Sequence, residues 1–257
     1  MSRPVAGSKL SIFVFVALVC SLSCAQEVDP IVPEDASATS DGATADPEIE
    51  LVQDLISHAR SEASEFRRQG GAVESSDHPL RDWSDLLWRY REVHPGTEAS
   101  AQAAQAALSM KGRVGEIDEM YAMARRVDAD DPMWTDVQFL LVTAWEEQDF
   151  DPVVELCGEK IAASADPDVR SALQMLLGET LLASGQREEA LLALESAADE
   201  APDSISAEAA LDIRRVATEL APGQPAQWPE VADTKGNPVS LDDFAGRYLL
   251  LNYWASW

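Results

Sequence analysis

Cysteine and histidine are scarce: the 257 residues hold three of each. No Cys-x-x-Cys occurs, and His58, His78 and His94 lie far apart among polar residues. A disulfide framework, a zinc site and haem attachment therefore have no sequence support, and no cofactor or metal ligand set is expected. Basic residues are also few. Nineteen Lys and Arg stand against 46 Asp and Glu, a net charge of -27. A surface that acidic repels phosphates, so nucleic acid is excluded as a partner. The plainest reading of the charge is solubility. What is abundant is ordinary: 46% of residues are hydrophobic, enough for a sizeable core.

The ends differ from the middle. Arg3 and Lys9 precede the apolar run Leu10–Val19, and Ser23 and Ala25 are small. That order is expected of a secretory signal over 1–25, too short to span a bilayer comfortably. Cleavage before Gln26 is one reading. The other is lipoprotein processing with Cys24 as the modified residue, which would anchor the chain to a membrane. Either reading predicts export, as a periplasmic or cell-envelope protein. Residues 26–46 contain no Lys or Arg and little to bury, so a disordered acidic linker is expected there.

From 47 to 222 the apolar residues recur at helical spacing. Asp46-Pro47 reads as a cap and first helical position, followed by Leu51, Leu55, Ile56, Ala59 and Ala63. Trp83, Leu86, Leu87 and Tyr90 are expected on one face of a helix. Gly70-Gly71 and Gly112 are expected to mark breaks. Pro95, Pro132, Pro167 and Pro202 are spaced by 37, 35 and 35 residues. A period of about 34 residues is that of helix–turn–helix repeats. The unit 171–202 resembles the tetratricopeptide family. Leu177 and Gly178 take the small packing pair, Leu181 the aromatic position and Gly185 the turn, with Ala190, Leu194, Ala197 and Pro202 at the family's spacing. Units at 136–167 and 101–132 match more weakly. In the former, Asp149–Asp151 lacks a turn glycine and Pro152 opens the second helix. The resemblance implies a mainly α, tetratricopeptide-like helical-hairpin solenoid, which serves either as a packed spacer or as a surface for protein substrates or partner proteins. Cys157, inside an apolar helical stretch, is expected to be a buried structural thiol.

Composition changes at Pro222-Gly223. Residues 233–237 read as a turn with Gly236 at positive φ, 238–241 as a short strand and 240–244 as a capped helical turn. Tyr248–Tyr253 is an apolar run of the kind buried on both faces of a central strand. Asp233, Gly236, Val239, Leu241, Phe244, Gly246, Asn252, Trp254, Ala255 and Trp257 then match, in order, the opening of the thioredoxin-like redoxin group (alkyl-hydroperoxide-reductase and TlpA/ResA type). Tyr253 replaces the usual phenylalanine, and Ser256 fills the free position. The resemblance covers 228–257 and implies an incomplete thioredoxin-like α/β start over 223–257. In that family the first cysteine of Cys-x-x-Cys follows the position of Trp257. No catalytic residue is therefore expected in the chain itself, and Asn252, Tyr253, Trp254, Ala255, Ser256 and Trp257 are the residues flanking the motif. A bare apolar strand ending there is an aggregation hazard, so the chain is expected to be a fragment. The expected function is an exported thiol–disulfide oxidoreductase with an N-terminal helical-repeat domain. The alternatives are a non-catalytic helical-repeat scaffold and a peroxiredoxin-like peroxidase.

Overall fold

The structure is a computed structural model that describes residues 46–219, Gln224 and 231–244. The expected signal, the acidic linker up to 45, Cys24 and the Asn252–Trp257 motif lie outside the described residues. Those described are mainly helical. They form α1 (Pro47–Arg68), α2 (Leu80–Val93), α3 (Glu98–Arg113), α4 (Ile117–Arg126), a 3₁₀ turn (Pro132–Thr135), α5 (Gln138–Glu147), α6 (Asp151–Ala163), α7 (Pro167–Ala183), α8 (Arg187–Glu200) and α9 (Ile205–Glu219). An antiparallel hairpin of β1 (Val231–Ala232) and β2 (Pro238–Val239) follows, then a second 3₁₀ turn, Leu241–Phe244.

Caps written in the sequence set the helix starts. Asp46, Thr97 and Asp166 each accept a hydrogen bond from a first-turn N–H of α1, α3 and α7, satisfying donors that a helix leaves unpaired. Proline occupies the first turn of α1, α6 and α7, where its missing N–H costs nothing. Gly70, Gly115 and Gly185 follow helix ends at positive φ. At the glycine-free turn after α5, Gln148 itself adopts φ 55° and takes the role of glycine.

The helices pack in sequence order. α2 lies on α3, α6 on α7, α7 on α8 and α8 on α9, while α7 also touches α9 and α1 touches α3. Small side chains permit these close approaches. Ala99, Ala103, Ala104 and Ala107 of α3 are buried, as are Ala190 and Ala197 of α8. Large side chains fill the spaces between them, including Trp134, Leu108, Met120, Met133, Leu140 and Leu156. Bonds joining one hairpin to the next recur near the sequence period. Arg125 reaches Glu159 (3.3 Å), 34 residues on. The Lys160 ammonium donates to the carbonyl of Arg125 (2.9 Å), 35 residues back. Asp130 Oδ1 accepts from the Ala165 N–H (2.7 Å), also at 35.

Three expectations need correction, and one buried histidine was not foreseen. In α1, Ala59 and Ala63 are buried and Leu55 and Ile56 half-buried as expected, but Leu51 is half exposed and Val52 takes the inner position at the start of the stripe. In α2, Leu86 faces outward while Ser84 and Trp88 are buried beside Leu87. The Ser84 hydroxyl donates to the carbonyl of Ala107 (2.9 Å), so a polar residue sits inside because its hydrogen bond is satisfied there. Gly112 is no break. It lies within α3, with Thr143 Oγ1 3.0 Å from where a Cβ would stand, and the chain turns at Gly115 instead. His78 is only 4% exposed. It packs edge-on against Phe66 (5.0 Å) and accepts from the Leu80 N–H (3.2 Å).

The C-terminal hairpin follows its expected outline. Asp233 Oδ1 accepts from the N–H groups of Lys235 (2.8 Å) and Asn237 (2.9 Å), and Gly236 takes φ +86°. Asn237 donors, helped by Lys235 and Gly236, hold the Asp233 carboxyl below the usual carboxylate range. Ser240 and Asp243 then cap the 3₁₀ turn reciprocally: Ser240 Oγ accepts from the Asp242 N–H (3.2 Å) and Asp243 Oδ2 from the Ser240 N–H (2.8 Å).

Candidate partner-binding cleft

A cavity of about 960 Å³ opens over the N-terminal half of α7. Ala172, Met175 and Leu176 of α7 line it from one side. A second side is the chain from Trp134 to Gln138, entering α5. The third is the α8–α9 connection with the first turns of α9, residues 201–206 and Ala209.

Each side is fixed by its own bonds. Asp131 Oδ1 caps the 3₁₀ turn at the Met133 N–H (3.0 Å), and the Trp134 indole donates to the carbonyl of Asp128 (2.8 Å). Gln138 ties α5 to α7 by donating to Glu179 Oε2 (2.6 Å). Burial pushes the half-buried Glu179 carboxyl up, and the Gln138 bond works against that shift. At the start of α7, the Arg170 guanidinium reaches Glu200 through Nε (3.0 Å) and Nη2 (2.7 Å). Ser171 donates to the Ala197 carbonyl (2.8 Å) and meets Ser204 Oγ at 3.3 Å. Ser204 in turn accepts from the Ala207 N–H (3.1 Å), capping α9.

The lining mixes apolar surface with acid. Val137, Met175, Leu176 and Ile205 supply the first, and Ile205 is 87% exposed. Asp136, Asp168 and Asp203 supply the second, all three exposed. No Lys, Arg, His or Cys lines the cavity. Its polar side chains are the three carboxylates, the hydroxyls of Thr135, Ser204 and Ser206, and the Gln138 amide.

Other reactive groups are spent on structure. Cys157 has no exposed surface, and burial pushes its thiol up to about 12, so it is not a thiolate nucleophile at neutral pH. A smaller cavity, about 430 Å³, is lined by Tyr121 with Asp118, Glu147 and Asp149. Burial, then Asp149, raises the Tyr121 hydroxyl to about 12. No group of three His, Cys, Asp or Glu able to hold a metal ion exists among the described residues. No described helix is long and apolar enough to cross a membrane.

Sequence reading did not identify a groove-lining set. One signal was available. Asp168 and Asp203 each follow a proline of the repeat, Pro167 and Pro202, so the period that located the hairpins also carried two of the three acids. The partner of both, Asp136, belongs to the weaker unit. Asn252–Trp257 and Cys24 lie outside the described residues. No family model, curated protein or solved structure matches the chain.

Proposed function

We propose that this chain is the helical-repeat arm of an exported thiol–disulfide oxidoreductase of the thioredoxin-like group. In this reading, 47–222 form a tetratricopeptide-like solenoid that holds a protein substrate or partner. Residues 223–257 open the redox domain, and Asn252–Trp257 flank its dithiol motif. The observation that carries the reading is the hairpin of 231–244. Its Asp233–Gly236 turn, short strand and Ser240/Asp243-capped turn have the local form that the resemblance implies, in the order it implies. The inter-hairpin bonds at 34 and 35 residues support the solenoid. The described residues offer binding surface and no reactive thiol. Holding the substrate on the repeats would raise its effective concentration at a dithiol carried on the same protein. Export, with or without a lipid on Cys24, puts that dithiol where disulfides form and persist.

The test is to express the whole open reading frame in an envelope-exporting host and measure reduction of a disulfide-linked peptide. The expected result is a Cys-x-x-Cys after Trp257 and activity lost when its first cysteine becomes serine. An intact native protein whose mass allows nothing beyond Trp257 refutes the redox reading. The cleft over α7 favours a second reading, a scaffold that binds partners without redox chemistry.

A further inference from the structure

We infer that the cleft over α7 takes a lysine- or arginine-bearing segment with an apolar anchor, supplied by a partner protein. The inference rests on reading the repeats as a partner-holding surface and adds the chemistry of what they hold.

The argument is one of unspent groups. Gln138 is committed to Glu179, Thr135 donates to the Pro132 carbonyl (2.8 Å), and Ser204 caps α9. Arg170, near the start of α7, is committed to Glu200. By contrast Asp136, Asp168 and Asp203 make no side-chain hydrogen bond or ion pair with any described residue. The open polar chemistry of the cleft is therefore almost wholly accepting and negative. An occupant must bring donors, and cationic donors make the stronger bonds. Val137, Met175, Leu176 and Ile205 line the same cavity. Val137 and Leu176 are buried and form the floor, so an apolar side chain of the occupant gains by covering part-exposed Met175 and, above all, Ile205 at the first position of α9, which is 87% exposed.

Charge selects among occupants. With 46 acidic and 19 basic residues, a second copy of the chain meets general repulsion. The chain's own linker, 26–46, has no Lys or Arg. A nucleic acid or anionic membrane is repelled for the same reason. A basic segment of another protein is attracted over long range and then held by short pairs.

The test uses the full chain and three short labelled peptides read by fluorescence anisotropy: alternating Lys and Leu, alternating Glu and Leu, and alternating Lys and Ser. The Lys/Leu peptide is expected to bind saturably and more weakly as salt rises. The triple variant Asp136→Asn, Asp168→Asn, Asp203→Asn should weaken it about tenfold, the loss expected from three exposed ion pairs. Ile205→Ser, at a site too exposed to unfold the chain, should also weaken it. A control of equal charge change on α8, Glu189→Gln, Glu195→Gln, Asp199→Asn, should alter binding less than about twofold. Equal weakening by the control, or equal binding of the Lys/Ser peptide, overturns the site in favour of diffuse charge attraction. Tight binding of the Glu/Leu peptide, sensitive to Ile205→Ser, overturns the cationic occupant but leaves the holding surface standing. A concentration-dependent dimer lost in Ile205→Ser makes a second copy the occupant and overturns the inference. Binding of no peptide overturns the inference together with the holding surface.

Discussion

Replacing Gly178 with alanine sets two known terms against each other. In a helix interior, Gly→Ala stabilises by about 1 kcal/mol through backbone entropy. Gly178 lies in the middle of α7, so that gain is available. A Cβ there would stand 2.6 Å from Leu194 Cγ, 2.7 Å from Leu194 Cδ2 and 3.2 Å from the carbonyl oxygen of Ala190. Leu194 has no exposed surface and cannot swing into solvent, and the Ala190 contact is backbone. α7 and α8 must move apart, an overpacking cost of about 1–3 kcal/mol. The net expectation is a loss of up to about 2 kcal/mol, or up to about 8 °C in Tm for a chain of this size. Gly158 in α6 is the matched control, since nothing lies within 4 Å of its added Cβ. Gly158→Ala should gain up to about 1 kcal/mol. Both are read by urea and thermal unfolding, following helix ellipticity. A double-mutant cycle with Leu194→Ala separates the causes. That change alone should cost about 2–5 kcal/mol, and the double variant should lose less than the sum because the smaller side chain makes room for the new methyl. If Gly178→Ala is as stable as Gly158→Ala, close helix approach does not explain this glycine.

Two further predictions concern buried titratable groups. His78 has its pKa lowered by burial, then by Arg67 and Arg81. A base held below its unfolded value binds fewer protons when folded, so stability falls as pH drops below the ordinary histidine value of about 6.5. Urea midpoints measured at neutral and mildly acid pH should therefore differ more in the parent chain than in His78→Asn; equal differences would refute the burial argument. Cys157 is an acid pushed up to about 12, so its stabilisation is whole below about pH 9 and is lost as pH rises from there. In native protein at neutral pH the peptide carrying Cys157 should resist iodoacetamide and label only on unfolding, as followed by mass spectrometry; labelling at the rate of an open thiol would overturn its placement in the core.

Much of this protein is determined locally. Asp46-Pro47 and Asp166-Pro167 place helix starts because a cap and a proline act within one turn. Gly185 and Gly236 place turns because positive φ is a property of one residue. Pro95, Pro132, Pro167 and Pro202 each stand between helices or at a helix start, because proline cannot continue a helix interior. Tertiary packing decided what periodicity alone leaves ambiguous. Leu51 and Val52 are neighbours that fit the same apolar pattern to within one step, and Ser84 is inside while Leu86 is out because the facing helix supplies its hydrogen-bond partner. Ser84 went inside because the carbonyl of Ala107 on the next helix satisfied it, and His78 because the ring of Phe66 covers it while its ring nitrogen accepts locally from the Leu80 N–H. Gly112 was a breaker by composition and a contact surface by position, because Thr143 and Met120 close on it from other helices. The cleft shows the same division. Its acids are visible in the sequence as two residues after repeat prolines and one outlier, yet as letters they are three among 46. Their meeting over α7 depends on how three helix starts are stacked. That stacking comes from long-range bonds such as Gln138 to Glu179 and Arg170 to Glu200, which no local pattern encodes.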